Sequence, residues 1–100
     1  MTSGAPDYFP RTITSGQSFE QVKVSVDDSD STGTFSQQVK SMLIFNDGNS
    51  YVHFNKDAAA TTDHFKIPAK SWLTCDIPIT IVHLICPTGK TATCYVVGVY

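Results

Sequence analysis

Between residues 18 and 26 the chain reads Ser-Phe-Glu-Gln-Val-Lys-Val-Ser-Val, with Val22, Val24 and Val26 alternating against Gln21, Lys23 and Ser25. A period of two puts the valines on one face of a pleated strand, so this segment predicts a half-buried β-strand. Residues 79–86 and 91–99 are two longer β-rich runs, and together they predict a hairpin. Cys86-Pro87-Thr88-Gly89 fits a type I turn between them, with Pro87 presetting φ and Gly89 free to take the left-handed conformation of a G1 bulge. That register sets Cys86 opposite Lys90 and Val82 opposite Cys94. Residues 39–45 and 50–55 predict a second hairpin about Asn46-Asp47-Gly48-Asn49, a type I′ signal that sets Ile44 opposite Tyr51 and Leu43 opposite Val52. Residues 65–67 and 72–75 predict two short strands around the bend Pro68-Ala69-Lys70. Residues 27–33 and 56–63 are polar and predict loops.

No run carries the 3.6-residue period of a helix that could stand alone. Short strands punctuated by turn signals predict an all-β fold, a single antiparallel β-sandwich of jelly-roll or immunoglobulin-like type with about seven or eight strands. The sandwich takes residues 15–100. Residues 1–14 predict an extended N-terminal arm, because Gly4, Pro6 and Pro10 oppose regular structure. Tyr8 and Phe9 in that arm are apolar and need a surface, either on the body of the domain or on a neighbouring subunit.

One hundred residues with 41% hydrophobic content suffice for one core. The net charge is −2, and the seven basic residues are scattered rather than striped, so neither a nucleic-acid footprint nor a membrane partner is expected. The first residues, Met-Thr-Ser-Gly-Ala-Pro-Asp, lack the charged and apolar regions of a signal peptide, which predicts synthesis in a cytoplasm without export by a cleaved leader. Three cysteines, an odd number, argue against a disulfide framework. In the predicted hairpin Cys86 and Cys94 share a face roughly 13 Å apart, too far to bond. A bond from Cys75 to either stays open.

The candidate chemistry is thin. Asp28, Asp30, Thr32 and Gly33 resemble the opening of a calcium loop, but Val39 occupies the twelfth position where an EF-hand needs a carboxylate. His53, His64 and His83 have no metal-binding spacing. There is no Gly-x-Ser-x-Gly elbow, and no thiol has the basic neighbours that would activate it. No enzyme activity, cofactor or metal is expected. Phe45, Phe54, Phe65 and Trp72 read as core, whereas Tyr51, Tyr95 and Tyr100 fall on strand faces and could cover a partner.

From Met42 to Tyr100 the order of short elements resembles a small structural protein of tailed-bacteriophage virions. The likeness rests on an Asn-Asp-Gly turn followed by Tyr-Val-His-Phe-Asn, and an Ala/Thr loop into Phe65-Lys-Ile-Pro-Ala-Lys-Ser-Trp-Leu-Thr. It continues through Asp76-Ile-Pro, Ile79-Thr-Ile and a closing Thr91-Ala-Thr-Cys-Tyr-Val-Val-Gly-Val-Tyr. In that family Gly usually follows the Pro-Ala bend; here Lys70 stands there. The resemblance implies a non-enzymatic β-sandwich that binds other virion proteins, as capsid decoration or cement, or as a neck or collar part. It would be present in many copies or as a homo-oligomer, and located in the virion. The residues expected to bind partners are Tyr8, Phe9, Arg11, Tyr51, Trp72 and Tyr100. The rival expectation is a host-glycan recognition module on a fibre or tail tip, using Trp72, Tyr51 and residues 56–63.

Overall fold

The computed structural model describes residues 18–100. These form eight strands: β1 (Phe19–Val26), β2 (Ser31–Val39), β3 (Ser41–Asn46), β4 (Val52–Lys56), β5 (Phe65–Ile67), β6 (Trp72–Cys75), β7 (Ile79–Ile85) and β8 (Ala92–Val99). They pair in two four-stranded antiparallel sheets of order β1-β8-β3-β6 and β2-β7-β4-β5. From β1 to β7, every strand but β4 is followed by one in the opposite sheet; β4 is followed by β5 in its own. This strand order is that of the eight-stranded jelly roll. The arm predicted for residues 1–14, with Tyr8, Phe9 and Arg11, lies outside the described residues.

The inward alternate set from each strand makes the core. Val24, Val26, Met42, Ile44, Cys94 and Val96 of one sheet meet Phe35, Val52, Ile67, Val82 and Leu84 of the other. Phe35 is among the largest fully buried side chains. It sits in an irregular stretch of β2, where the pairing with β7 slips between Thr34 and Val39. Its ring is accommodated by Gly98 of β8: a Cβ there would lie 2.8 Å from two ring atoms of Phe35. Any larger residue at 98 would push the two sheets apart at this point.

Both predicted hairpins are corrected. β7 pairs with β2 and β4, and β8 pairs with β1 and β3, so the two never touch in register. Val82 lies opposite Gly33 and Lys56, and Cys94 lies opposite Val24 and Asn46. The link between them turns one residue later than predicted: the Lys90 N–H donates to the Pro87 carbonyl at 3.0 Å. Gly89 does take a left-handed φ of 78°, as the third residue of a type II turn requires. Cys86, one residue beyond β7, and Cys94 of β8 therefore reach the same core from opposite sides rather than lining one face.

The Asn-Asp-Gly segment is a crossing between sheets too. Ile44 lies opposite Val96 and Leu73 instead of Tyr51, and Val52 lies opposite Ile67 instead of Leu43. Neither Asp47 nor Gly48 has the positive φ of a type I′ turn. Gly48 is required by crowding instead, since a Cβ there would stand 2.5 Å from the Ala92 Cβ. The predicted loop at 27–33 ends earlier than expected, because Ser31 already begins β2. That strand escapes the alternation rule: its middle is exposed and its register is broken.

Asn46 anchors the crossing. Its side chain is fully buried. The amide nitrogen donates to the carbonyls of Ser50 at 2.9 Å, Ile67 at 3.2 Å and Pro68 at 3.2 Å, and Oδ1 accepts the Gly48 N–H at 3.0 Å. One side chain thus ties the outgoing crossing at 46–51 to the returning one at 68–71. The backbone agrees, with the Asn46 N–H donating to the Ser71 carbonyl at 2.9 Å. Lys70 in the return bend has a φ of 58°. It occupies, under strain, the left-handed conformation that glycine adopts freely. Its Nζ reaches the Asp47 carboxylate at 3.0 Å, a further tie between the same two crossings.

Removing the amide takes the donor from the buried Ile67 carbonyl and from the part-buried carbonyls of Ser50 and Pro68. Asn46→Ala is expected to cost about 2–3 kcal/mol of unfolding free energy. Asn46→Asp should cost more, because a carboxylate would face those carbonyls without a donor. Urea unfolding at neutral pH measures both, and an Asp variant as stable as wild type would contradict this account of the corner.

Candidate functional site

The outer face of the β1-β8-β3-β6 sheet is the most unusual surface of the domain. Residues on adjacent strands line up in rows, and the inward set is fixed by Val24, Ile44, Cys94 and Val96. One outward row runs Lys23–Tyr95–Phe45–Trp72. The next runs Gln21–Val97–Leu43–Thr74. The last described row runs Phe19–Val99–Ser41. Antiparallel sheets of small sandwiches usually present polar residues outward. Here the two central strands carry an apolar residue at nearly every outward position. The rings of Phe45 and Trp72 stack at 4.6 Å between centroids, tilted by 44°.

Three of the four aromatics expected in the core need separate placement. Phe54 packs against it, but Phe65 and Trp72 are exposed and Phe45 points outward. Alternation gave their phase within each strand. Which phase faces the core depends on the sheet that each strand joins.

The other expected partner-binding residues do not gather on this face. Tyr51 lies at the start of β4 in the other sheet, edge-on to His53 at 5.4 Å. The Lys66 ammonium sits over its ring at 4.2 Å from the centroid. Tyr100 is half-buried against the core. Its hydroxyl donates to the Glu20 carboxylate and lies 3.1 Å from Ser36 Oγ. Residues 56–63 lie at the far end of β4 from Tyr51. They are fastened there by Asp57, which accepts the N–H groups of Thr80 at 3.1 Å and Ile81 at 2.8 Å. Asp30 holds the same loop by accepting the Ala60 N–H at 2.9 Å while pairing with His83 Nδ1, also at 2.9 Å.

A separate open cleft of about 670 Å³ lies at one end of the sandwich, lined by Asp27, Asp47, Asn49, Lys90 and Thr91 among others. The Asp47 carboxylate in it is already engaged by Lys70. Among the described residues no group of three or more His, Cys, Asp and Glu is placed to hold a metal. Cys75, Cys86 and Cys94 are free thiols. Burial raises all three above the ordinary thiol value, with Cys94 pushed up to about 12. A thiol so shifted carries almost no thiolate at neutral pH and is a poor nucleophile.

No protein-family model, curated protein or solved structure matches this chain. The functional reading therefore rests on the surface just described and on the residues of the chain itself.

Three carboxylates that fasten the sandwich titrate low. The Tyr100 hydroxyl and then Ser36 hold Glu20 below its ordinary 4.5. The Ile81 N–H, with Thr80 and Lys56, holds Asp57 below 3.8 against a smaller opposing effect of burial. Burial pushes Asp30 up, but the Ala60 N–H and His83 together outweigh it and leave it below 3.8. A carboxyl depressed by folding stabilises the fold fully above its unfolded pKa and loses that stabilisation as pH falls through the folded value. Unfolding free energy should therefore be level above about pH 5 and decline from about pH 4.5 downward. Asp57→Asn keeps an acceptor without the charge and should flatten part of that decline. Urea unfolding from pH 3 to 6 on both proteins reads this out; identical acid limbs would contradict the role given to Asp57.

Proposed function

We propose that this chain is a non-enzymatic structural protein of a tailed-phage particle that binds other virion proteins in many copies. Capsid decoration or cement is the leading role, with a neck or collar position as the near variant. The observation that carries the reading is the outward apolar face of the β1-β8-β3-β6 sheet. Tyr95, Phe19 and Trp72 stand exposed on it, and aromatic side chains are enriched at protein–protein interfaces. The resemblance of residues 42–100 to virion proteins supports the same reading. The jelly roll is compatible with it but hosts lectins and enzymes as well, so the fold alone decides nothing. On a symmetric particle even a modest patch becomes effective, because neighbouring contacts act together.

Host-glycan recognition has less support. Trp72, Tyr51 and residues 56–63 would have to converge, and they sit on one sheet face, the opposite sheet and the far end of β4.

Quantitative mass spectrometry of purified particles of the source phage tests the proposal. Hundreds of copies per particle support head decoration, and about five to twelve, matching ring symmetry, support the neck. Absence from the particle overturns the reading. Within it, Tyr95→Ser should weaken binding to particles by about tenfold or more while the domain stays folded. Unchanged occupancy would remove this face as the contact.

A further inference from the structure

We infer that residues 57–64, the loop between β4 and β5, form a clasp in two halves of which mild acid opens one: protonation of His64 releases residues 61–63 and its own ring, while residues 57–60 stay fastened. The inference stands apart from the virion reading, since it concerns the isolated domain.

The chain has three histidines, and all three act on this loop through Nδ1. His64 Nδ1 accepts the Thr61 N–H at 2.8 Å. The His64 N–H returns a bond to the Thr61 carbonyl at 3.0 Å, so the ring and backbone of one residue close the turn from both sides. A ring nitrogen that accepts a hydrogen bond carries no proton, so the closed turn needs neutral His64 with its proton on Nε2. The other two rings are arranged the opposite way. His53 Nδ1 donates to the His64 carbonyl at 2.9 Å, and His83 Nδ1 donates to the Asp30 carboxylate at 2.9 Å. Carbonyl and carboxylate oxygens only accept here, so both of these nitrogens already carry protons.

Acid therefore acts differently on the three rings. A proton added to His53 or His83 goes to Nε2 and leaves the Nδ1 bond in place; at His83 the new charge strengthens the pair with Asp30. A proton added to His64 goes to Nδ1, where it removes the acceptor and sets one N–H against another. What then remains across the turn includes a long bond from the Asp63 N–H to Thr61 Oγ1 at 3.3 Å. The other half is held by groups that keep their charge through the imidazole range. Ala60 is 3% exposed, and its N–H donates to Asp30 at 2.9 Å. Asn55 Nδ2 donates to the Ala59 carbonyl at 3.1 Å, and Asp57 accepts the N–H groups of Thr80 and Ile81. Asp30 and Asp57 both titrate below the ordinary 3.8. The charges nearest His64 along the chain have opposite signs. Asp63 precedes it, and Lys66 of β5 lies opposite His53 with its ammonium over the Tyr51 ring. Lys56 and Asp57 pair at 3.8 Å where the loop leaves β4. His53 keeps the His64 carbonyl on β4 throughout, so the moving parts are the His64 ring and residues 61–63. They adjoin Phe65, which is 61% exposed, so acid changes the surface that a partner meets at this end of β5.

Magnetic resonance of the nitrogen-labelled full chain, titrated from about pH 7.5 to about pH 5 across the imidazole range, tests this. A scalar coupling between the Thr61 amide nitrogen and His64 Nδ1 is expected at the upper pH and lost at the lower. Over the same interval the Thr61 amide should lose about tenfold or more of its protection against solvent exchange, corrected for the intrinsic rate, while the Ala60 amide keeps its own. His64→Asn sets an amide oxygen where Nδ1 stands and should leave Thr61 equally protected at both pH values. A coupling absent at the upper pH, or surviving at the lower, would overturn the inference in the unaltered protein. So would Ala60 and Thr61 losing protection together, or an asparagine variant as sensitive to pH as the wild type.

Discussion

A buried amide at Asn46 lets the chain change sheets in a confined space. A jelly roll must repeatedly carry backbone from one layer to the other, and each crossing exposes peptide groups with no ladder partner. At the end of β3 that difficulty is concentrated. The outgoing crossing at 46–51 and the returning one at 68–71 both pass the buried Asn46 side chain at the end of the core. The Asn46 nitrogen donates to Ser50, Ile67 and Pro68 together. Hydrophobic burial holds the sheets together, but it does not specify which strand follows which. The hydrogen bonds of this corner are directional and admit one arrangement. Gly48 against Ala92 and the strained Lys70 reaching Asp47 follow from that same close approach.

This topology creates the outward apolar face. β8 joins β1 and β3 only because its predecessor β7 belongs to the other sheet. Had the two formed a hairpin, Tyr95 would have faced Ile81 and its row would have been broken. Instead Tyr95 lies between Lys23 and Phe45, and Phe45 lies beside Trp72. The proposed particle contact depends on this continuity. The loop at 56–63 on the opposite sheet is fastened by Asp30 and Asp57.

The sequence made strand positions legible, but not their partners. Alternation at Val22, Val24 and Val26 identified β1 and its inward face, because period two is a local property. Pairing is not local. Asn-Asp-Gly and Pro-Thr-Gly mark reversals of direction, and a reversal within one sheet has much the same composition as a crossing between two. Gly48 illustrates the ambiguity: it was legible as a glycine that the chain needs, while the need proved to be room for Ala92 rather than a positive φ. β2 was missed because Ser, Thr and Gly at its start look like loop and its middle faces water. The face itself was partly legible. Tyr95 stood out as a strand-surface aromatic and Trp72 as a candidate contact, but Phe45 and Leu43 could be placed only once β3 was known to lie inside its sheet.

The central claim is that β8 lies between β1 and β3, giving the sandwich its jelly-roll order and its outward apolar rows. Long-range Overhauser contacts from the Tyr95 ring in uniformly labelled protein test it most directly. The account predicts contacts to Lys23 on one side and Phe45 on the other. Contacts from Tyr95 to Ile81, the register of a hairpin across residues 79–99, would contradict it.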